Sequence, residues 1–162
     1  MDTIRERRQA IEMKATHAAS IELSKGGGTL QILKRLYEYY NQTFDKSLPK
    51  KNDFNVGLRR GYFLVADKLN IRYQDFAIEF NMDRVTVLHM KKLILDGNGI
   101  THHNAYKGVL CALDYIISSY SQQEESEDIL VVEDEITDIQ GIVQENINLR
   151  RQINFLHRLL TI

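Results

Sequence analysis

Apolar side chains along this chain recur every three or four residues, the spacing of a helix face, and no alternating strand pattern competes with it. Residues 3–24 read as a helix with a basic start and an Ala-rich middle, with Ile4, Ile11, Ala15, Ala18 and Ala19 near one face. Three consecutive glycines, Gly26 to Gly28, stop it and mark a flexible joint, and Thr29 is placed to cap the next helix. That makes residues 1–28 a helical appendage and linker. The next helix, from Leu30 to about Tyr40, repeats through Leu33, Leu36, Tyr37 and Tyr40. A polar loop carrying Lys46, Lys50, Lys51 and the chain's one proline, Pro49, leads into a helix over 56–69 with Phe63, Val65, Ala66 and Leu69 on its apolar face. Two short helices follow, about 73–80 and 83–95, and Asp96-Gly97-Asn98-Gly99 ends the second. A helix over 103–120 aligns Tyr106, Val109, Leu110, Leu113, Ile116, Ile117 and Tyr120, and a last long helix covers 134–160; Ile129-Leu130-Val131-Val132 opens that helix, with a short strand as the alternative.

The fold class is therefore all-α: a helical helix-turn-helix domain over 29–121, an acidic linker over 122–133 and a coiled-coil helix over 134–162. The chain has 162 residues, 43% hydrophobic and 27% charged, which is globular composition. No stretch of 18 uninterrupted apolar residues is present, which excludes a membrane span, and the charged start Met1 to Arg8 is unlike a signal peptide. Cytoplasmic localisation is the default expectation. Net charge is −1, but it is unevenly spread: residues 124–162 hold nine acids and three Lys/Arg, while residues 1–123 carry a net +5.

Residues 74–94 carry the most information. Phe76-Ala77 supplies an apolar residue followed by a small one, as close helix crossing needs, and Phe80 anchors the helix end. Asn81 tolerates left-handed φ, Met82 plugs the turn, and Asp83 is placed to cap the second helix. Val87, Met90 and Leu93–Ile94 fall on the buried side. Arg84, Val85, Thr86, His89 and Lys92 are left outward, offering a cation, a methyl group, a hydroxyl and an imidazole, groups that read base edges or phosphates. An αα-hairpin in a helical bundle has similar caps and spacing; the turn chemistry and the basic face favour DNA reading.

Asp83-Arg84-Val85-Thr86-Val87-Leu88-His89 resembles the Gly-Arg-Asp-His-Thr-Thr-Val-Leu-His signature of the DNA-binding C-terminal domain of bacterial DnaA replication initiators, a Trp-repressor-like helix-turn-helix. Asp83, Thr86, Val87, Leu88 and His89 match; Arg84 and Val85 stand where the family has His and Thr. Leu36-Tyr37-Glu38-Tyr39-Tyr40-Asn41 is similar to that family's Val-Ala-Glu-Tyr-Tyr-Asn helix, and Val56-Gly57-Leu58-Arg59-Arg60 stands where it has Ala-Arg-Pro-Arg-Gln. The likeness covers residues 36–94. It implies that Arg59 touches the DNA backbone or minor groove, and that Asp83, Arg84, Val85, Thr86 and His89 face the bases. The turn here is one residue shorter and lacks the family's Gly-Arg pair, so the DnaA target site does not carry over. No Gly-x-x-x-x-Gly-Lys-Ser/Thr phosphate loop exists, so the family's ATPase is absent. Lys46, Lys50 and Lys51 in the loop, with Arg60, Arg72, Lys91 and Lys92, add candidate phosphate contacts, and residues 30–94 hold twelve Lys/Arg against seven Asp/Glu.

In the last helix a heptad sets Ile139, Asn146, Ile153 and Leu160 at a, and Ile142, Leu149 and Leu156 at d. β-branched residues at a, Leu at d and one Asn at a favour a parallel two-stranded coil, and Glu145 at g faces Arg150 at e of a partner helix. Gly141 weakens the run by about 1 kcal/mol relative to Ala. The alternative is that this apolar face packs back on the basic domain. Catalytic chemistry is not indicated. Cys111, the one cysteine, lies on an apolar face; His102-His103 with His89 and Cys111 matches no zinc spacing. No cofactor, metal or catalytic residue is expected.

The sequence thus predicts a homodimer that binds double-stranded DNA sequence-specifically. It would act in replication or transcription control and would be encoded by a phage or mobile element. A small terminase-type packaging subunit and a helical protein–protein adaptor are the competing readings.

Overall fold

The computed structural model describes residues 3–160, with the side chains of 120–139 outside the description. Among the described residues there are six α-helices, one 3₁₀ turn and no strand: α1 Ile4–Ser24, α2 Thr29–Thr43, α3 Asp53–Lys68, α4 Tyr73–Glu79, α5 Arg84–Leu95, the 3₁₀ turn Asn98–Ile100 and α6 His103–Leu160. The chain divides into two compact units, Met1–Tyr120 and Ser121–Ile162.

In the first unit α3 is the central element, touching α1, α2, α4 and α5. Its residues Tyr62, Phe63, Leu64, Val65 and Ala66 are consecutive and all buried, so this helix is surrounded rather than one-faced. The fifth neighbour is α6. A Cβ on Gly57 would lie 2.1 Å from the Ala105 carbonyl oxygen, and one on Gly108 would lie 2.2 Å from that of Phe54. Hydrogen side chains at these positions let the two backbones meet directly.

The structure corrects the expectation for the first helix. α1 is a core element: Ile11, Ala15, Ala18 and Ala19 are buried in the same cluster as Leu36, Phe63 and Val109. Its start is closed by a capping box between Thr3 and Glu6. Its end is tied to α2 by Glu22, fully buried, whose carboxylate accepts from Arg35 Nε at 2.8 Å and lies 3.7 Å from Lys25 Nζ. The glycine run is therefore spanned by an ion pair. Thr29 does not cap α2; Gly28 holds the N-cap place with no side-chain bond.

The expected break at 122–133 is also absent. α6 continues as helix through the acidic segment, and the boundary between units falls at Tyr120/Ser121 instead of in a loop. Glu and Gln are good helix formers, so acidity alone does not interrupt a helix. In the second unit, residues 140–160 are exposed, with Ile142, Leu149, Ile153, Leu156 and Leu160 between 48% and 86% accessible. Asn146 is exposed as well, and Ile139 lies outside the described side chains.

Candidate nucleic-acid interface

α4 and α5 pack together and are joined by a turn whose geometry follows from Asn81. Its φ of +50° is left-handed, a region that Asn tolerates better than other non-glycine residues. Met82 N donates to Ala77 O at 2.8 Å and Asn81 N to Ile78 O at 3.2 Å, a Schellman closure of α4. Phe76, Ala77, Phe80, Val87, Met90 and Ile94 are buried on the inner side, as the spacing predicts, and Met82 packs against the same core. Asp83 occupies the N-cap place of α5 with extended backbone, but its carboxylate makes no cap hydrogen bond. It is exposed at the head of α5.

The outer side of α5 presents Arg84, Val85, Thr86, His89 and Lys92 to solvent, so five expected base- or phosphate-facing residues share one accessible helix. Leu88 and Leu95, 43% and 58% accessible, are also exposed on it.

Four expected cations take other places. Arg60 turns inward: Nη1 donates to Gly99 O at 2.7 Å, and burial pushes the guanidinium pKa below its ordinary value. With Arg7, which donates to the carbonyls of Ile100 and Thr101 at 3.0 Å, it fastens the turn that ends α5. Lys91 donates to Tyr73 Oη and lies 3.5 Å from Asp67; the tyrosine hydrogen bond, then the carboxylate, raises its pKa. These two residues hold α5 in place: Arg60 is half-buried on the Gly99 carbonyl, while Lys91 stays 39% accessible beside Tyr73 and Asp67. Arg72 is exposed but makes a two-point pair with Asp75, at 2.9 and 3.2 Å. Arg59 Nη2 donates to Tyr40 Oη at 3.1 Å and stands at the edge of a separate groove.

Behind the lysine loop that borders this groove stands a residue the sequence pattern did not single out. Asn55 is fully buried, and its Nδ2 donates to the carbonyls of Asp45, Leu48 and Pro49 at 3.0–3.4 Å. It pins the lysine loop to α3. Asn55 stands three residues after the Asn52 N-cap, and an Asn in the first turn of a helix that follows a polar loop carries no sequence sign of this burial. Tyr40 is buried and meets Tyr62 edge-on at 6.1 Å, Tyr39 meets Tyr115 edge-on at 5.6 Å, and Tyr37 meets Phe80 edge-on at 5.6 Å while staying 38% accessible. Cys111 is half-buried and its thiol pKa is raised by burial, the setting of an unreactive thiol. Among the described residues no three His, Cys, Asp or Glu gather as metal ligands, and no helix is long and apolar enough to cross a membrane.

Comparison of the chain with protein-family models, with curated proteins and with solved structures finds no match.

Proposed function

We propose that this chain binds double-stranded DNA sequence-specifically, with α5 entering the major groove, and that it does so as a homodimer joined by a parallel coil of residues 134–162. The observation that supports it most is the division of α5: Val87, Met90 and Ile94 are buried, while Arg84, Val85, Thr86, His89 and Lys92 are accessible behind a left-handed turn at Asn81. Such a helix offers bidentate donors, a methyl contact and hydroxyl and imidazole groups to base edges. Two copies on one coil would read two half-sites about one or two helical turns apart. The DnaA-like residues suggest a role in replication or transcription control. The reading involves binding without catalysis.

The test is a salt series of affinity for random duplex DNA and for an enriched site pool, on the wild type and on Arg84→Ala/Lys92→Ala. A steep salt dependence with loss of site preference in the variant supports the reading. Absence of duplex binding at low salt overturns it in favour of a protein–protein adaptor. The observation on that side is the exposure of Leu88 and Leu95 on the same helix.

A further inference from the structure

We propose that the groove between the lysine loop and the α4–α5 turn is a binding site for a nucleotide unit, a planar base carrying a phosphate. The groove encloses about 410 Å³, within the ~300–1,000 Å³ of small-ligand clefts. Its lining includes the aromatic rings of Tyr37, Tyr40, Phe44 and Phe80. It also includes the cations Lys50, Lys51 and Arg59, and Asn81 adds an amide from the turn. No carboxylate is among the lining residues.

Three features make this more than a basic surface. First, the loop is held: Asn55 fixes three of its carbonyls from beneath, so the lysines stand on a preorganised wall. Second, the Arg59 guanidinium is oriented by its bond to Tyr40 Oη and lies 5.6 Å from that ring's centroid, in a groove whose lining holds no carboxylate. Third, Tyr37 is 38% accessible while its ring is braced edge-on by Phe80, so one exposed aromatic surface is rigid enough to receive a base. A phosphate alone would need only the cations; the aromatic rings lining the same groove add a surface for the base.

Two sources present this chemistry: a free nucleotide, and an unpaired nucleotide of a DNA strand. The site is distinct from the accessible face of α5 and does not depend on duplex reading by it.

The experiment is an amide-resonance NMR titration of the full chain with three probes: thymidine 5′-monophosphate, the 5′-phosphorylated thymidine dinucleotide, and inorganic pyrophosphate. The expected result is saturable shifts at Lys50, Lys51 and Asn81 with one of the thymidine probes, and about tenfold weaker binding in Tyr37→Leu. Saturation by the monophosphate identifies a free nucleotide; saturation by the dinucleotide only identifies a strand. Lys50→Ala/Lys51→Ala, on exposed loop positions, loses binding with the fold intact and serves should Tyr37→Leu fail to fold. Arg84→Ala/Lys92→Ala binds these probes as the wild type does, which separates failure here from failure of duplex reading. The proposal is overturned if pyrophosphate binds as tightly as the thymidine probes, or if no probe shifts these resonances.

Discussion

Glu22, with no solvent exposure, is bonded at 2.8 Å to Arg35, thirteen residues on, across a run of three glycines. Losing Arg35 takes the hydrogen-bonded cation from this buried carboxylate and leaves only Lys25, at 3.7 Å, which costs far more than the intact pair stabilises. Arg35→Ala should therefore lower stability by about 3 kcal/mol, measured by urea denaturation, and Glu22→Gln, which keeps an acceptor, by about 1 kcal/mol. Equal small losses for both would mean that the glycine joint is not held by this pair.

The α3–α6 contact allows a paired test. Gly57→Ala places a methyl where the Ala105 carbonyl stands, so the helices must separate, at a cost of about 3 kcal/mol or more. Gly141 has no neighbour within 4 Å, and Gly141→Ala should instead stabilise its helix by up to about 1 kcal/mol. Opposite signs in thermal melts are the expected outcome, and a tolerated Gly57→Ala would contradict the close packing.

Arg60 and Arg84 were indistinguishable as cations in the sequence, and the structure separates them. Arg84 is exposed, whereas Arg60 is spent on the Gly99 carbonyl. Arg84→Ala should cost about 1–3 kcal/mol in site affinity with an unchanged melting temperature. Arg60→Ala should lower the melting temperature by leaving the turn after α5 unfastened. Lys92→Ala should reduce the salt slope by about one contact.

These differences show what periodicity conveys. The α4–turn–α5 unit was legible because each residue type there answers a local steric demand: Asn81 to positive φ, Ala77 to close crossing. The depth of α1 was not, because alanines give little hydrophobic signal even when fully enclosed, as Ala15 and Ala18 are. The role of Gly57 and Gly108 was also hidden, since a glycine reads as a weak helix position unless its neighbour across space is known. The acidic stretch at 124–128 suggested a linker by charge, although its Glu residues favour a helix. Arg60, Lys91 and Asn55 show the remaining limit: a polar side chain's partner lies in tertiary structure.

The exposed seam of the second unit bears on assembly. Leu149 and Ile153 are 48% and 55% accessible, and the dimer reading buries both. Leu149→Glu/Ile153→Glu should shift sedimentation from dimer to monomer and weaken binding to a two-half-site DNA, with the single-half-site affinity unchanged. A wild type that sediments as a monomer at all concentrations would remove the coil from the mechanism.

Alkaline pH tests the core directly. Tyr62 is fully buried, its Oη is 2.7 Å from Thr43 Oγ1, and burial, the largest cause, pushes its pKa above the ordinary value. Tyr39 is raised in the same direction, again chiefly by burial. A tyrosine whose folded pKa exceeds its unfolded pKa binds its proton more tightly when folded. Its stabilising contribution is complete below the unfolded pKa, about 10, and is lost as pH rises through that value toward the folded one. Unfolding free energy should thus be flat near neutrality and fall above about pH 10, by up to about 1.4 kcal/mol per pH unit for each such tyrosine. Tyr62→Phe removes one ionisation and should flatten the slope, while losing about 1 kcal/mol at neutral pH with the Thr43 hydrogen bond. Urea melts from pH 7 to 11 on both proteins measure this, and an identical alkaline slope in the variant would show that Tyr62 ionises as freely in the fold as outside it.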